Sequence, residues 1–155
     1  MGDGMGNQLD LLGNFSVAPA ATQPVPASEP RADFDSGPTS ILILDTETSG
    51  LDPAAHACLE VGAILFDVAS RSVLAQQSFL LPVDTNAAEP INRIPAAVTR
   101  LPQPWSEVLR WFQLLVEAAD VLVAHNAAFD LQWFGRGALP PLERPWLCSM
   151  EDIRW

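Results

Sequence analysis

The sequence of 155 residues contains no lysine, only two cysteines, and no apolar run long enough to cross a membrane. Its eight basic residues are all arginine, against 19 acidic residues, which gives a formal net charge of -11. This acidic excess argues against tight electrostatic binding of nucleic acid by the free protein. The arginines that are present do suit bidentate contacts to phosphate.

The two cysteines, Cys58 and Cys148, lie far apart, and each sits in an apolar run. This pattern favours buried free thiols over a disulfide or a metal pair. The N-terminus also lacks the basic region and the long apolar stretch of a signal peptide. We therefore expect a cytoplasmic protein without membrane contact.

Residues 1–38 form the least patterned part of the chain. They are rich in Gly, Ala, Pro, Ser and acidic residues, a composition that buries too little apolar surface to offset the entropy of ordering. We expect a disordered arm here, or, in part, a short amphipathic contact at residues 9–12 that docks a partner. Residues 39–155 are long enough for one folded domain.

Apolar periodicity and turn residues predict the elements of that domain. Strands are expected at residues 41–45, 58–67, 72–81, 121–124 and 146–150. Helices are expected at 95–100, 105–118 and 127–134. A hairpin followed by strands that are added through helices predicts an α/β fold with a mixed five-stranded sheet and flanking helices.

The first candidate site lies where four apolar residues, 41–44, run into Asp45, with Glu47 two positions later. The run predicts a strand buried on both faces. Because side chains alternate along a strand, both carboxylates point to one side, about 7 Å apart. Burying two like charges costs several kcal/mol, which a divalent cation with oxygen ligands, such as Mg²⁺, would relieve. This strand end therefore predicts half of a metal site for phosphate chemistry.

The second candidate site, residues 123–130, lies at the end of the fourth predicted strand and the start of the next helix, which Asn126 can cap. Ligands commonly bind at the carboxyl ends of neighbouring strands in such sheets. If the first and fourth strands are neighbours, Asp130 approaches Asp45 and Glu47. Three converging carboxylates again indicate bound cations.

These two segments resemble motifs of the DnaQ-like, DEDD-type 3′–5′ exonucleases. Residues 45–51 (DTETSGL) resemble the first motif and residues 125–130 (HNAAFD) the second. Residues 59–63 and 94–101 resemble the family's second strand and the segment before its first long helix. The resemblance covers residues 39–150, and the second motif favours the histidine-using DEDDh subgroup.

The resemblance implies a ribonuclease H-like fold and hydrolysis of terminal phosphodiester bonds with two Mg²⁺ or Mn²⁺ ions. Asp45 would bridge both ions, Glu47 would bind the ion that holds the attacking water, and Asp130 would bind the other. Thr46, Thr48 and Leu51 would hold the terminal nucleotide, with Asn126 and Phe129 on the next sugar or base. The implied partners are single-stranded 3′ ends or nucleotides of DNA or RNA, and a polymerase or another protein.

The sequence departs from the family at the third motif, a histidine and an aspartate on a C-terminal helix. His125 belongs to the second motif, and His56 lies in the turn before the second strand. We therefore expect the C-terminal helices to be missing and exonuclease activity to be impaired. The alternative is a non-catalytic module that binds nucleotide or metal, or a truncated fragment of an active exonuclease.

Overall fold

The computed structural model describes residues 37–153, so the predicted arm lies almost entirely outside the described residues. The strands are β1 (Ser40–Thr48), β2 (Cys58–Asp67), β3 (Ser72–Leu80), β4 (Val121–Ala124) and β5 (Trp146–Cys148). The helices are α1 (Glu89–Asn92), α2 (Ala96–Thr99), α3 (Trp105–Ala118) and α4 (Ala127–Leu131). None of the helices in this part of the chain is long and apolar enough to cross a membrane.

The five strands form one sheet in the order β3-β2-β1-β4-β5. β1 pairs antiparallel with β2, which forms a hairpin with β3, whereas β4 pairs parallel with both β1 and β5. This arrangement confirms the predicted mixed sheet and places β1 beside β4. The carboxyl ends of β1 and β4 therefore lie at the same edge.

The main core lies between α3 and one face of the sheet. Leu42 and Leu44 of β1 are fully buried there. Phe112 of α3 packs edge-to-face on Phe79 at 5.6 Å and stacks on Phe134 at 5.9 Å between ring centroids. The apolar stripe predicted for α3 is confirmed, because its buried residues face the strands.

The opposite face of β1 corrects the prediction that this strand is buried on both sides. Ile43 is 38% exposed, although it stands in the middle of the apolar run. No helix of the described residues covers this position in the way that α3 covers Leu42 and Leu44. A cavity of about 450 Å³ opens here, lined by residues of the three antiparallel strands (Ile43, Asp45, Gly62, Ile64, Gln76 and Ser78 among them).

Several element boundaries also differ from the predictions. β1 continues to Thr48, beyond the predicted end at Asp45, because its ladder with β2 continues through Glu47. α1 was not predicted, since residues 90–95 contain two prolines. α4 ends at Leu131 and not at residue 134, and β5 ends at Cys148 and not at residue 150.

Candidate active site

The carboxyl end of β1 presents two acidic side chains on the open face of the sheet. Asp45 is exposed and Glu47 is half-buried. The alternate residues, Thr46 and Thr48, point to the buried side of the sheet. The strand alternation therefore places both carboxylates on one face, as residues two positions apart in a strand require. A register shift interrupts the ladder with β2 between Glu47 and Thr48.

A third acidic side chain, Glu60 of β2, stands directly opposite Glu47 in the antiparallel ladder. Directly opposed like charges destabilise a strand pair. The pKa of Glu47 is raised by desolvation first, and then by the negative charges of Asp45 and Glu60. The Ser78 hydroxyl donates a hydrogen bond to Glu60 Oε1 and supplies one compensating contact.

Asp130 reaches β1 from the side of α4. Its side chain is only 3% exposed, and Oδ1 accepts a hydrogen bond of 2.8 Å from the Thr46 hydroxyl. Burial is the main cause of the raised pKa of Asp130, and the charge of Asp45 raises it further, whereas the bond from Thr46 opposes the shift. The structure thus brings Asp130 into electrostatic contact with Asp45 through the intervening Thr46.

Asp45 is the shared neighbour in this constellation, because its charge acts on both Glu47 and Asp130. Hard oxygen donors and mutual repulsion are the chemistry that suits a divalent cation. Within residues 37–153, however, no group of three or more His, Cys, Asp or Glu side chains is arranged closely enough to hold a metal ion. The oxygen donors therefore suit a cation in their chemistry, but in the described residues they are not grouped closely enough to hold one.

The predicted nucleotide contacts lie around this strand end. Leu51 is 80% exposed just beyond β1, and the Thr48 hydroxyl donates to the Gly50 carbonyl at 2.7 Å. The loop between Gly50 and β2 folds back, so that the His56 ring lies directly over Gly50. Because a Cβ at position 50 would clash with that ring, only glycine fits there without movement of His56.

On the neighbouring strand, Asn126 precedes α4 in the left-handed conformation, with φ 64°. It occupies the predicted N-cap position, but its side chain makes no capping hydrogen bond. Asparagine tolerates this conformation better than most residues. Phe129 is half-buried against the core, where it packs edge-to-face on Trp133 at 5.9 Å between ring centroids.

The two histidines have separate environments. His125 is exposed, with Nδ1 3.1 Å from the Ser149 hydroxyl. His125 and Asp130 are five residues apart, and both lie in the segment that resembles the second motif. Both cysteines are free, and burial raises the pKa of the Cys58 thiol to about 12.

Two contributors to the site were missed from the sequence. Glu60 faces Glu47 across the ladder and accepts a hydrogen bond from the Ser78 hydroxyl, a position that the motifs alone do not show. Asn92 was not singled out, although its side-chain amide donates to the Thr48 carbonyl at 3.0 Å. The strand register could have revealed Glu60, whereas Asn92 reaches β1 from a segment without a periodic pattern.

Comparison with known proteins gives an independent view of this geometry. The model of the family RNase_T, described as exonuclease, matches residues 42–138. A PolC-type DNA polymerase III from Streptococcus suis (strain 98HAH33) is 26% identical over 142 residues, which cover 84% of this chain and 9% of the polymerase.

Two solved structures share the fold. Exonuclease X in complex with 5′ overhanging duplex DNA superposes with a TM-score of 0.53 and 26% identity, over 71% of this chain and 60% of that chain. E. coli exonuclease I in complex with a 5cy-dA13 oligonucleotide superposes with a TM-score of 0.58 and 19% identity, over 72% of this chain and 28% of that chain. The chain thus spans less than two thirds of each of these relatives, while the family match covers more than half of it. With Asp45, Glu47 and Asp130 all inside the matched segment, this chain belongs to the RNase_T exonuclease family.

Proposed function

We propose that the chain is the nuclease core of a 3′–5′ exonuclease that hydrolyses terminal phosphodiester bonds at the carboxyl edge of β1 and β4. The observation that carries this proposal is the end of β1, where Asp45 and Glu47 share one face of the strand and Thr46 between them bonds to the buried Asp130. Carboxylates grouped around one strand end are suited to hold divalent cations.

In this proposal Asp45, Glu47 and Asp130 hold two Mg²⁺ or Mn²⁺ ions. Bound ions of this kind stabilise the attacking and leaving oxygens of an in-line displacement. Asp45 would be shared between the ions, with Glu47 and Asp130 each holding one. The Thr46 hydroxyl holds Oδ1 of Asp130 by its hydrogen bond and would in this way orient that carboxylate.

The terminal nucleotide would lie along the strand end. Leu51 offers an exposed apolar side chain against which a base can pack. Thr46 and Thr48 would offer main-chain groups to the sugar and phosphate, because their buried hydroxyls already donate to Asp130 and to the Gly50 carbonyl. Asn126 and Phe129 would contact the next nucleotide from α4. Base packing on an apolar side chain tolerates different sequences, as an exonuclease requires.

Single-stranded DNA ends are the proposed substrate class. The related exonuclease X and exonuclease I structures contain DNA, and the polymerase relative suggests a polymerase as a partner. The net charge of -11 means that the chain gains little affinity from the phosphate backbone. Local contacts with the ions and with Leu51 must therefore provide most of the binding.

The polypeptide of 155 residues should turn over slowly. After assignment of His125 and Asp130 to the second motif, the remaining histidine, His56, precedes β2 and so does not lie on a C-terminal helix as the third motif requires. A general base alone typically contributes about 10²–10⁴-fold to the rate. A module that binds metal and nucleotide without turnover is the second candidate, favoured by this same observation.

A 5′-labelled single-stranded oligonucleotide with Mn²⁺ tests the proposal. A 3′–5′ exonuclease produces a ladder of labelled products that shorten with time, whereas the opposite direction releases a labelled mononucleotide at once. The Asp45→Ala variant should abolish the ladder. A ladder that persists in this variant would show that the assigned site is wrong or that the activity comes from a contaminant.

The non-catalytic candidate predicts a different result from the same proteins. It gives no shortened products at any concentration, while Mn²⁺ and thymidine 5′-monophosphate still bind to the wild type and not to Asp45→Ala. Absence of both turnover and binding would contradict both candidates.

A further inference from the structure

A network of side-chain amides connects the segment after β3 to the end of β1. The Asn92 Nδ2 atom donates to the Thr48 carbonyl at 3.0 Å. The Oδ1 atom of the same side chain accepts from Asn86 Nδ2 at 2.9 Å and from the Ile94 backbone N–H at 3.1 Å. Both ends of the Asn92 amide are thus engaged, so its orientation is fixed.

Asn86 is itself held by the segment that it supports. Its Nδ2 also donates to the Ile94 carbonyl at 2.8 Å, and its Oδ1 accepts from the Ala88 N–H at 3.0 Å. Arg93 closes α1 in the left-handed conformation, with φ 61°. Residues 86–94 therefore form a small ordered unit, and Asn92 extends this order to Thr48.

The Thr48 carbonyl lies where β1 loses its strand neighbours. The pairing with β4 is recorded only as far as Ile43, and the ladder with β2 shifts register between Glu47 and Thr48. The residue before Thr48 is a proposed metal ligand, and Leu51 stands three positions after it. A hydrogen bond that fixes the Thr48 carbonyl therefore restrains the backbone from which these two side chains project.

We infer that Asn92, supported by Asn86, is a positioning residue that fixes the end of β1 through the Thr48 carbonyl and so holds Glu47 and Leu51 in place for metal and nucleotide. This inference rests on the proposed function for what Glu47 and Leu51 bind. Asn92 itself touches neither metal nor nucleotide. Its effect is transmitted through the backbone, as outer partners of metal ligands transmit theirs.

Three uncharged substitutions in the 155-residue chain test this role: Asn92→Ala, Asn86→Ala and the control Thr85→Ala, an exposed residue of the same loop. None changes the net charge, so effects on cation binding do not arise from altered electrostatics. The measurements are titrations of Mn²⁺ and of thymidine 5′-monophosphate in Mn²⁺, together with the melting temperature. Outer-partner substitutions typically weaken metal binding about 10–100-fold.

We expect Asn92→Ala to weaken Mn²⁺ and nucleotide binding about tenfold, Asn86→Ala to weaken both by less, and Thr85→Ala to leave both unchanged. A purely structural role would lower the melting temperatures of Asn92→Ala and Asn86→Ala while the folded proteins kept wild-type affinity. That result would overturn the inference.

Amide hydrogen exchange separates this inference from the proposed function. The Ser49 N–H bonds to the Ala57 carbonyl at 2.9 Å and so reports on the start of the loop. Its exchange should be at least about tenfold faster in Asn92→Ala than in Thr85→Ala, since local opening sets the exchange rate. If the wild type binds neither Mn²⁺ nor nucleotide, the proposed function fails. Equal Ser49 exchange in the two variants would then overturn the positioning role by itself.

Discussion

The two ends of β1 carry carboxylates in opposite situations. At the start of the strand, Asp120 Oδ2 accepts hydrogen bonds from the Thr39 N–H and hydroxyl, both at 2.8 Å, and from the Ser40 N–H at 3.0 Å. These bonds, with the Ser40 backbone bond as the largest cause, lower the pKa of Asp120 to about 2. This carboxylate is supplied with donors and stabilises the fold.

At the far end of the strand, acidic side chains outnumber the donors. Hydroxyl groups of Thr46 and Ser78 each serve one carboxylate, and the pKa values of Glu47 and Asp130 are raised. Like charges held together without compensation reduce stability, and perturbed groups of this kind cluster at functional sites. The carboxylate at the start of β1 is satisfied within the fold, whereas those at its end carry the uncompensated charge to which the proposed function assigns cations.

The largest expected effect is on cation binding by Asp45→Asn. This change removes the charge that both Glu47 and Asp130 share and keeps the shape of the side chain. Mn²⁺ affinity should fall by at least about 100-fold, because a ligand of this kind contributes several kcal/mol. Isothermal titration against wild type and the control Glu143→Gln, which alters an exposed carboxylate in the 139–145 loop, measures the loss. An equal loss in the control would assign the effect to net charge.

The next largest effect is on stability at the start of the strand. Asp120→Ala removes the acceptor of three hydrogen bonds and should lower the free energy of unfolding by about 1 kcal/mol, after allowance for solvent screening of a half-buried group. The melting temperature should fall by about 4 °C. The measurement is thermal unfolding of Asp120→Ala and of the control Glu143→Ala. Equal melting temperatures would show that the hydrogen bonds of Asp120 do not stabilise the fold.

The difference in the free energy of unfolding between wild type and Asp120→Ala should depend on pH through the titration of Asp120. Its pKa is about 2 in the folded state and about 3.9 in the unfolded chain. A lowered folded pKa stabilises fully above the unfolded pKa and loses this effect as pH falls through the folded value. The stability difference between wild type and Asp120→Ala should therefore be constant above about pH 5 and shrink toward pH 2. A difference that grew on acidification would contradict this assignment.

The smallest expected effect is a gain in stability when Glu47, at the carboxyl end of β1, loses its charge. The folded pKa of Glu47 is raised, so its charge destabilises the fold above the unfolded pKa. Glu47→Gln should raise the free energy of unfolding by a few tenths of a kcal/mol at pH 7, a small value because the side chain is partly solvated. Chemical denaturation at pH 7 and pH 4 tests this, since the gain should disappear at the lower pH. Destabilisation at pH 7 would mean that Glu47 is structurally satisfied.

The regular elements of the fold followed from the sequence. The apolar spacing of α3 and the runs of β2 and β4 predicted their bounds, because burial against a common core sets their pattern. The exposure of Ile43 did not follow, since four consecutive apolar residues look alike whether one face or two are covered. Nor did α1, which depends on the Asn86 network and not on periodicity.

The acidic residues of the site followed from their spacing and from the resemblance, but their pairing did not. Residue types alone do not reveal that Thr46 bonds to Asp130, because this contact joins positions 84 residues apart. The opposition of Glu47 and Glu60 depends on the strand register, which the loop between β1 and β2 and the register shift after Glu47 determine. The capping bond predicted for Asn126 is also absent, because its side chain makes no hydrogen bond to the first turn of α4.

The most direct test of the account is the anomalous scattering of Mn²⁺ soaked into crystals of the 155-residue chain. We predict a peak about 2–2.3 Å from a carboxylate oxygen of Asp45, with a second oxygen from Glu47 or Asp130 in the same coordination shell. The peak should be absent in Asp45→Asn crystals soaked identically. A peak on other side chains, or one that survives in Asp45→Asn, would contradict the claim that the end of β1 is a cation site.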